Sequence, residues 1–510
     1  MKKKRILVLA LMVSMAMALM AYPVLAEQFN VGGKPLNLYG YLTQMAALGL
    51  HNSYDTEAGL QAALMNLLIE GDYSITPELK FTASGRLTVD WAYQLNAGRD
   101  SWEEKMFDKS KGHLNVDDKD WQLLNEAHVT WTPGDFYFRV GKQIVVWGET
   151  DGFRLMDQIN PQDQRRGFID VEFENTIIPI WLARAEYRPP IKSSWLQDFS
   201  LQFIFNPNAE FIRNQDIQPG NDVGGVWAPN VLIPGPFPRG EAHLGSTFND
   251  ITKPKAFNSD GYEYGFRVKG VISDAILTLS YYYGLDKSPV TQSAPLPPKI
   301  EVASDGRLII HPFLTGHYPL FRFVGGTFSR DITNLKASFL GGVAPVVRLE
   351  SFYAFSNTFA TNLNRLIKSD EFRASIGVDW KLKVPFLNAK AYFMISPQFY
   401  YRRIIDYPSI ANISGVRNNE FISGLNENNY ITSLMINTSY FHNKLVPSFF
   451  WLRDYKSQSE FFRIQLVYDY SNQWHFTVGG LFIDGSKTGE QFQLFENKDQ
   501  VYFKISYKWG

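Results

Sequence analysis

Cysteine is missing altogether from the 510 residues, which removes disulfide staples, thiol chemistry and a lipoprotein attachment site. Net charge is nearly missing too. The chain sets 50 Lys and Arg against 51 Asp and Glu, a balance that gives no reason to expect nucleic acid as a partner. Long apolar runs are confined to the N-terminus and mean hydropathy is slightly negative, so a polytopic helical membrane protein is excluded. No GxSxG elbow and no HExxH pair occurs, and the 8 His are scattered. His128 and His475 read as wall residues rather than ligands. GLFIDGSK at 480–487 misses a phosphate-binding loop, having Ser-Lys where Lys-Ser/Thr is needed and leaving a strand instead of entering a helix. The acidic run Asp117, Asp118, Asp120 reads as a solvated loop. No cofactor, metal or catalytic residue is expected.

Aromatics, by contrast, are abundant: 15% of the chain, with 26 Tyr and 39 Phe. Aromatic wealth at low hydropathy suits a membrane barrel, where only alternate residues need be apolar. Residues 79–93, LKFTASGRLTVDWAY, carry that pattern most clearly. Leu79, Phe81, Ala83, Gly85, Leu87, Val89, Trp91 and Tyr93 alternate with Lys80, Thr82, Ser84, Arg86, Thr88 and Asp90. Period two predicts a strand with one apolar and one wet face. The run exceeds the usual strand of about 5–6 residues, and Trp91 and Tyr93 predict an interfacial girdle.

The first 26 residues read as a secretory leader, with Lys2, Lys3, Lys4 and Arg5 before an apolar run that ends Val24-Leu25-Ala26. Residues 27–510 then read as one barrel. Short turns, such as SITPE at 74–78, TPGD at 132–135, ISDA at 272–275 and SNQ at 471–473, alternate with long polar loops. The longest loops, 207–259 and 286–320, are rich in Pro and Gly, and WAPNVLIPGPFP at 227–238 is too Pro-bracketed for a regular strand. Short turns at one end and long loops at the other predict an all-β, transmembrane antiparallel β-barrel of about 18 strands, with 16 allowed. The chain would lie in the outer membrane of a Gram-negative cell, touching bilayer lipid and lipopolysaccharide. The final strand, VYFKISYKW, aligns Val501, Phe503, Ile505, Tyr507 and Trp509 on one face.

If the apolar parity faces lipid, the other lines the lumen. That places Arg86, Asp90, Arg139, Arg184, Arg267, Lys269 and Arg373 inward, among a set in which basic residues outnumber acidic ones. A basic lumen would focus anionic solutes such as carboxylates. Pairing of opposite charges on adjacent strands is the alternative role for each single residue.

Residues 138–163, FRVGKQIVVWGETDGFRLMDQINPQD, resemble an uncharacterised family of Gram-negative outer-membrane proteins defined as a domain of unknown function. The matching residues are Arg139, Gly141, Gln143, Trp147, Gly148, Glu149, Asn160, Pro161 and Asp163. The resemblance implies a transport barrel moving hydrophobic compounds together with periplasmic or inner-membrane transport components, and it carries over no catalytic residue. By parity, Arg139, Gly141, Gln143, Trp147 and Glu149 point inward along one strand, while Lys142 falls on the lipid side and implies a bulge. The charged stretch after Glu149, with Asp151, Arg154, Asp157, Asn160, Asp163, Arg165 and Arg166, is expected to fold into the pore as a constriction, pairing with Arg139 or Arg184.

The resulting expectation is a channel passing hydrophobic or amphipathic small molecules, carboxylate-bearing ones among them. A general diffusion porin for hydrophilic solutes is the alternative, and an outer-membrane hydrolase is a third.

Overall fold

The structure, a computed structural model, describes residues 27–510 apart from 52–58, 96–115, 118–122, 151–153, 164–172, 192, 213–231, 238–240, 245–247, 303–305, 307, 337–340, 410–412, 415–424, 486–494 and 497. The leader, 1–26, lies outside the described residues. Eighteen antiparallel strands close on themselves. They are β1 (Lys34–Gly49), β2 (Leu64–Ser74), β3 (Leu79–Asp90), β4 (Glu126–Trp131), β5 (Phe136–Gln143) and β6 (Ile180–Tyr187). Next come β7 (Leu196–Asn206), β8 (Glu263–Ile272), β9 (Ala275–Leu285), β10 (Leu320–Asp331), β11 (Val346–Thr361) and β12 (Leu366–Leu382). The circuit ends with β13 (Phe393–Ile404), β14 (Asn428–Asn437), β15 (Leu445–Asp454), β16 (Ser459–Asp469), β17 (Trp474–Gly485) and β18 (Gln500–Trp509). Closure is made by β18 against β1, with Gly40 opposite Trp509 and Gly49 opposite Gln500. A closed sheet leaves no unpaired edge, which is the condition for crossing a bilayer with strands.

Alternation sorts the two faces. Ile69, Phe81, Val140, Phe266, Leu279, Ile376, Ile464 and Val478 stand exposed on the outer face around the circumference. Such a band is stable only in contact with hydrocarbon. Near the short-turn end the band closes in aromatics: Trp131 and Phe138 stack at 5.6 Å, Phe136 and Tyr187 lie 4.9 Å apart, and Trp474 meets Tyr507 at 4.7 Å. Trp91, predicted for a girdle, is not part of it, and the side chain of Tyr93 lies outside the described residues. β3 ends at Asp90, whose carboxylate accepts from the N–H groups of Ala63 and Ala92 and turns the chain into a short helical turn, Ala92–Leu95. Trp91 instead packs on an apolar cluster with Met45, Leu64, Leu452 and Leu481.

The short turns hold their expected form, including Ser273 and Asp274 with φ of 48° and 67° between β8 and β9. The two longest loops are knitted together by small sheets. Glu241–Leu244 runs parallel to Leu308–His311, and Phe248–Thr252 runs parallel to Phe313–His317. Within the Pro-bracketed stretch, Leu232–Pro234 does form a strand, antiparallel to Glu241–Leu244. It ends at Pro234 and sits at the edge of its sheet, where the missing N–H costs no ladder bond. At the root of these loops Lys287 Nζ meets both carboxylate oxygens of Glu263 at 2.6 and 2.7 Å, with both side chains almost fully buried.

Candidate functional site

Beyond Gln143 the chain leaves the wall. The inward parity predicted out to Glu149 therefore applies only to β5 itself, because no strand continues past Gln143. Lys142, expected on the lipid side of a bulge, is buried with its Nζ on the Leu124 carbonyl at 2.6 Å. The pairing with β4 and β6 runs without a register shift. The irregularity is conformational: Gly141 has φ +136°, and a Cβ there would lie 2.2 Å from the Ala127 carbonyl oxygen.

Residues 144–150 and 154–163 form a strap laid inside the barrel. Its apolar side chains, Val145, Trp147, Leu155, Met156 and Ile159, are buried against inward-facing residues of β7, β9, β10 and β11, including Ile204, Tyr282, Phe323 and Phe352. Trp147 is wholly buried. Its indole sits over Gly265, where a Cβ would be 2.6 Å from the ring, and Nε1 donates to Gln202 Oε1 at 2.7 Å. Full burial of an indole with its N–H satisfied makes this the principal anchor of the strap.

Two polar residues fold the strap on itself. Asp157 Oδ1 accepts from the N–H groups of Trp147 at 2.6 Å and Gly148 at 2.9 Å. Asn160 Oδ1 accepts from Val145 N, while its Nδ2 donates to the carbonyls of Gln143 and Ile178. Gly148 is needed where it stands, since a Cβ would come within 2.8 Å of Asp157 Oδ2. Arg154 donates to the Asn160 carbonyl at 3.1 Å; burial depresses its guanidinium pKa, with Asp157 acting the other way.

The barrel wall then grips the strap. Glu350 on β11 accepts from Glu149 N and from Met156 N, and Arg348 donates to the Glu149 carbonyl. Arg348 is itself held by Asp379 at 2.8 and 2.9 Å. Arg267 donates to the carbonyls of Val146 and Trp147 at 3.3 and 3.2 Å. On the returning limb, Asp163 N bonds the Thr176 carbonyl, and Asn175 is fixed by Arg86 of β3 at 2.8 Å and by Tyr41 of β1 at 2.8 Å. The excursion out of β5 is thus fastened on β1 and β3 as well as on β7 to β11, which lie across the lumen from each other.

The strap and its moorings include many of the residues expected of a constriction. Gln143, Trp147, Glu149, Arg154, Asp157, Asn160, Asp163, Arg86 and Arg267 all belong to the strap or its moorings. Among the described residues the strap is held by Arg267, Arg348 and Glu350, largely through backbone groups, and no ion pair of a strap residue with Arg139 or Arg184 is present. Asp90 caps the end of β3. Lys269 faces inward on β8 away from the strap's hydrogen bonds. Arg373 is paired with Glu371 at 2.7 Å. Asp151, Arg165 and Arg166 lie outside the described residues. Glu350, Gln202 and Glu371 are legible in the sequence only as inward positions, and nothing local marks them as anchors.

Among the lumen charges pairing is extensive. Lys80 meets Asp72 at 2.6 Å, and Glu371 bridges Arg373 and Arg402, which stand directly opposite on β12 and β13. His475 is bonded to Asp469, the wall role expected of it.

Residues 69–509 match the DUF1302 family, described as proteins of unknown function. The chain belongs to the DUF1302 family. No curated protein matches the sequence. Among solved structures, this DUF1302 barrel is similar to OccK8 (OprE) of Pseudomonas aeruginosa, at 9% identity and TM-score 0.47 over 94% of this chain and 98% of that one. It is similar to OpdK of Pseudomonas aeruginosa with vanillate, at 9% identity and TM-score 0.44 over 93% and 98%. OmpF of Salmonella typhi in complex with daunomycin gives 10% identity and TM-score 0.40 over 95% and 100%.

Proposed function

We propose that this DUF1302 barrel is a selective outer-membrane channel whose lumen is narrowed by the strap, passing hydrophobic or amphipathic small molecules, carboxylate-bearing ones among them. The observation that carries this reading is the strap packed against the inner wall, which takes up part of the barrel's cross-section. Trp147, Leu155, Met156 and Ile159 are buried between strap and wall against Tyr282, Phe323 and Phe352, so the strap is a packed element inside the barrel, where a diffusion pore holds water. The apolar body of the solute follows from the family resemblance, and the inward arginines supply attraction for a carboxylate. The periplasmic or inner-membrane components implied by the family would meet the short-turn rim, where Phe386 and Phe441 stand 86% and 72% exposed.

Single-channel conductance of the purified, folded barrel in a planar bilayer tests the proposal. The expected record is a small or closed conductance. A large, steadily open conductance would replace this reading with the general diffusion porin.

A further inference from the structure

Three guanidinium groups gather around one aromatic ring on the inner wall near the short-turn end. Arg139 lies 5.4 Å from the centre of the Tyr137 ring, and Arg184 and Arg188 each lie 5.2 Å from it. Strand register forces the crowding: Tyr137 faces Glu186 across β5 and β6, and Arg139 faces Arg184 directly. Like charges directly opposite each other destabilise a sheet.

The barrel contains a second such pair, Arg373 opposite Arg402, and there Glu371 binds both. Around Tyr137 the carboxylate of Glu186 is taken otherwise. Glu186 accepts from Arg184 Nε at 2.6 Å and Arg188 Nε at 2.9 Å, and also from Gln202 Nε2 at 2.5 Å. Arg139 has no carboxylate partner among the described residues; its Nε donates to Thr130 Oγ1 at 3.1 Å. The Arg184 side chain is 21% exposed and that of Arg188 54%, so the cluster is open to solute.

We propose that Arg139, with Arg184, Arg188 and the Tyr137 ring, binds the carboxylate of a solute in the lumen. The site deepens the channel reading and rests on it for its place in transport. A carboxylate accepts two parallel N–H bonds from one guanidinium, and here it would supply the negative charge that Glu371 supplies to the other arginine pair. Gln202 joins this cluster to the strap, since it donates to Glu186 and accepts from Trp147. The carboxylate would therefore bind at the foot of the constriction.

Binding can be measured without transport, by calorimetric titration of benzoate into the purified full-length barrel in detergent, with benzyl alcohol as the uncharged counterpart. Saturable benzoate binding is expected, weakened about tenfold in Arg139→Gln, the loss of one charge-assisted contact, and weakened less in Arg139→Lys, which keeps the charge but loses the two parallel bonds. Benzyl alcohol should not distinguish the three proteins. Heat-modifiable electrophoretic mobility establishes that each variant is folded, and Arg184→Gln offers a second variant should Arg139→Gln fail to fold. Absence of benzoate binding to the natural protein, or equal affinity in Arg139→Gln, would overturn the site. An open conductance together with Arg139-dependent binding would overturn the occluded channel and leave the site standing.

Discussion

Replacing Trp147 by alanine separates the strap from the wall. The side chain is wholly buried over Gly265 and gives its indole N–H to Gln202. Truncating a buried Trp costs about 3–5 kcal/mol, and an unanswered buried Gln202 acceptor adds about 1 kcal/mol or more. The wall does not depend on this residue, since β5 ends at Gln143 and the ladder of β6 to β9 is complete without it. The loss therefore falls on strap docking. At about 1.4 kcal/mol per factor of ten, the ratio of docked to released strap should fall at least about a hundredfold. Asp157, Asn160 and Glu350 remain as moorings and set a floor under the effect. Planar-bilayer recording should show Trp147→Ala with larger or more frequent openings than the natural protein. Its heat-modifiable mobility should be unchanged. Trp147→Phe keeps much of the ring and loses only the N–H, so it should fall between. Natural conductance in Trp147→Ala, with the strap still protected from protease, would refute this account of the constriction.

Gly148→Ala places a Cβ 2.8 Å from Asp157 Oδ2 and 3.4 Å from Glu350 Oε1, so it should loosen the same strap and raise conductance without any loss of apolar burial. Lys287→Met leaves Glu263 charged and buried without its cation, a change that typically costs about 3–5 kcal/mol; the temperature of heat modification should drop, and adding Glu263→Gln should restore part of it. Glu371→Gln removes the carboxylate between Arg373 and Arg402, and the reversal potential in a salt gradient should move towards anion preference. An unmoved potential would place that pair off the ion path.

The period-two pattern of 79–90 identifies a membrane strand because alternation is a local property that backbone geometry imposes residue by residue. The end of that strand escapes the same reasoning. Ala92 breaks the alternation, but the turn is set by Asp90 accepting from Ala63, on a neighbouring segment that local parity cannot see. Residues 320–331 and 346–361 are fixed as β10 and β11 by their pairing with each other, which local parity does not specify. Within 138–163 the sequence marks an unusual stretch, and its residues do occupy the lumen. Their partners lie up to about two hundred residues away, as Glu149 and Glu350 do, and only closure of the barrel brings them together.

Composition and alternation alone thus determined an outer-membrane β-barrel, its strand number near 18, its apolar outer face and its inward arginines, because each follows from short-range parity and from the lengths of turns and loops. Tertiary structure decided which way the chain goes after Gln143, which wall residues hold the strap, and which arginines keep a carboxylate. Those outcomes depend on register and on distance across the lumen. Register places Arg139 opposite Arg184, and the carboxylate of Glu186 beside them is taken by Arg184 and Arg188.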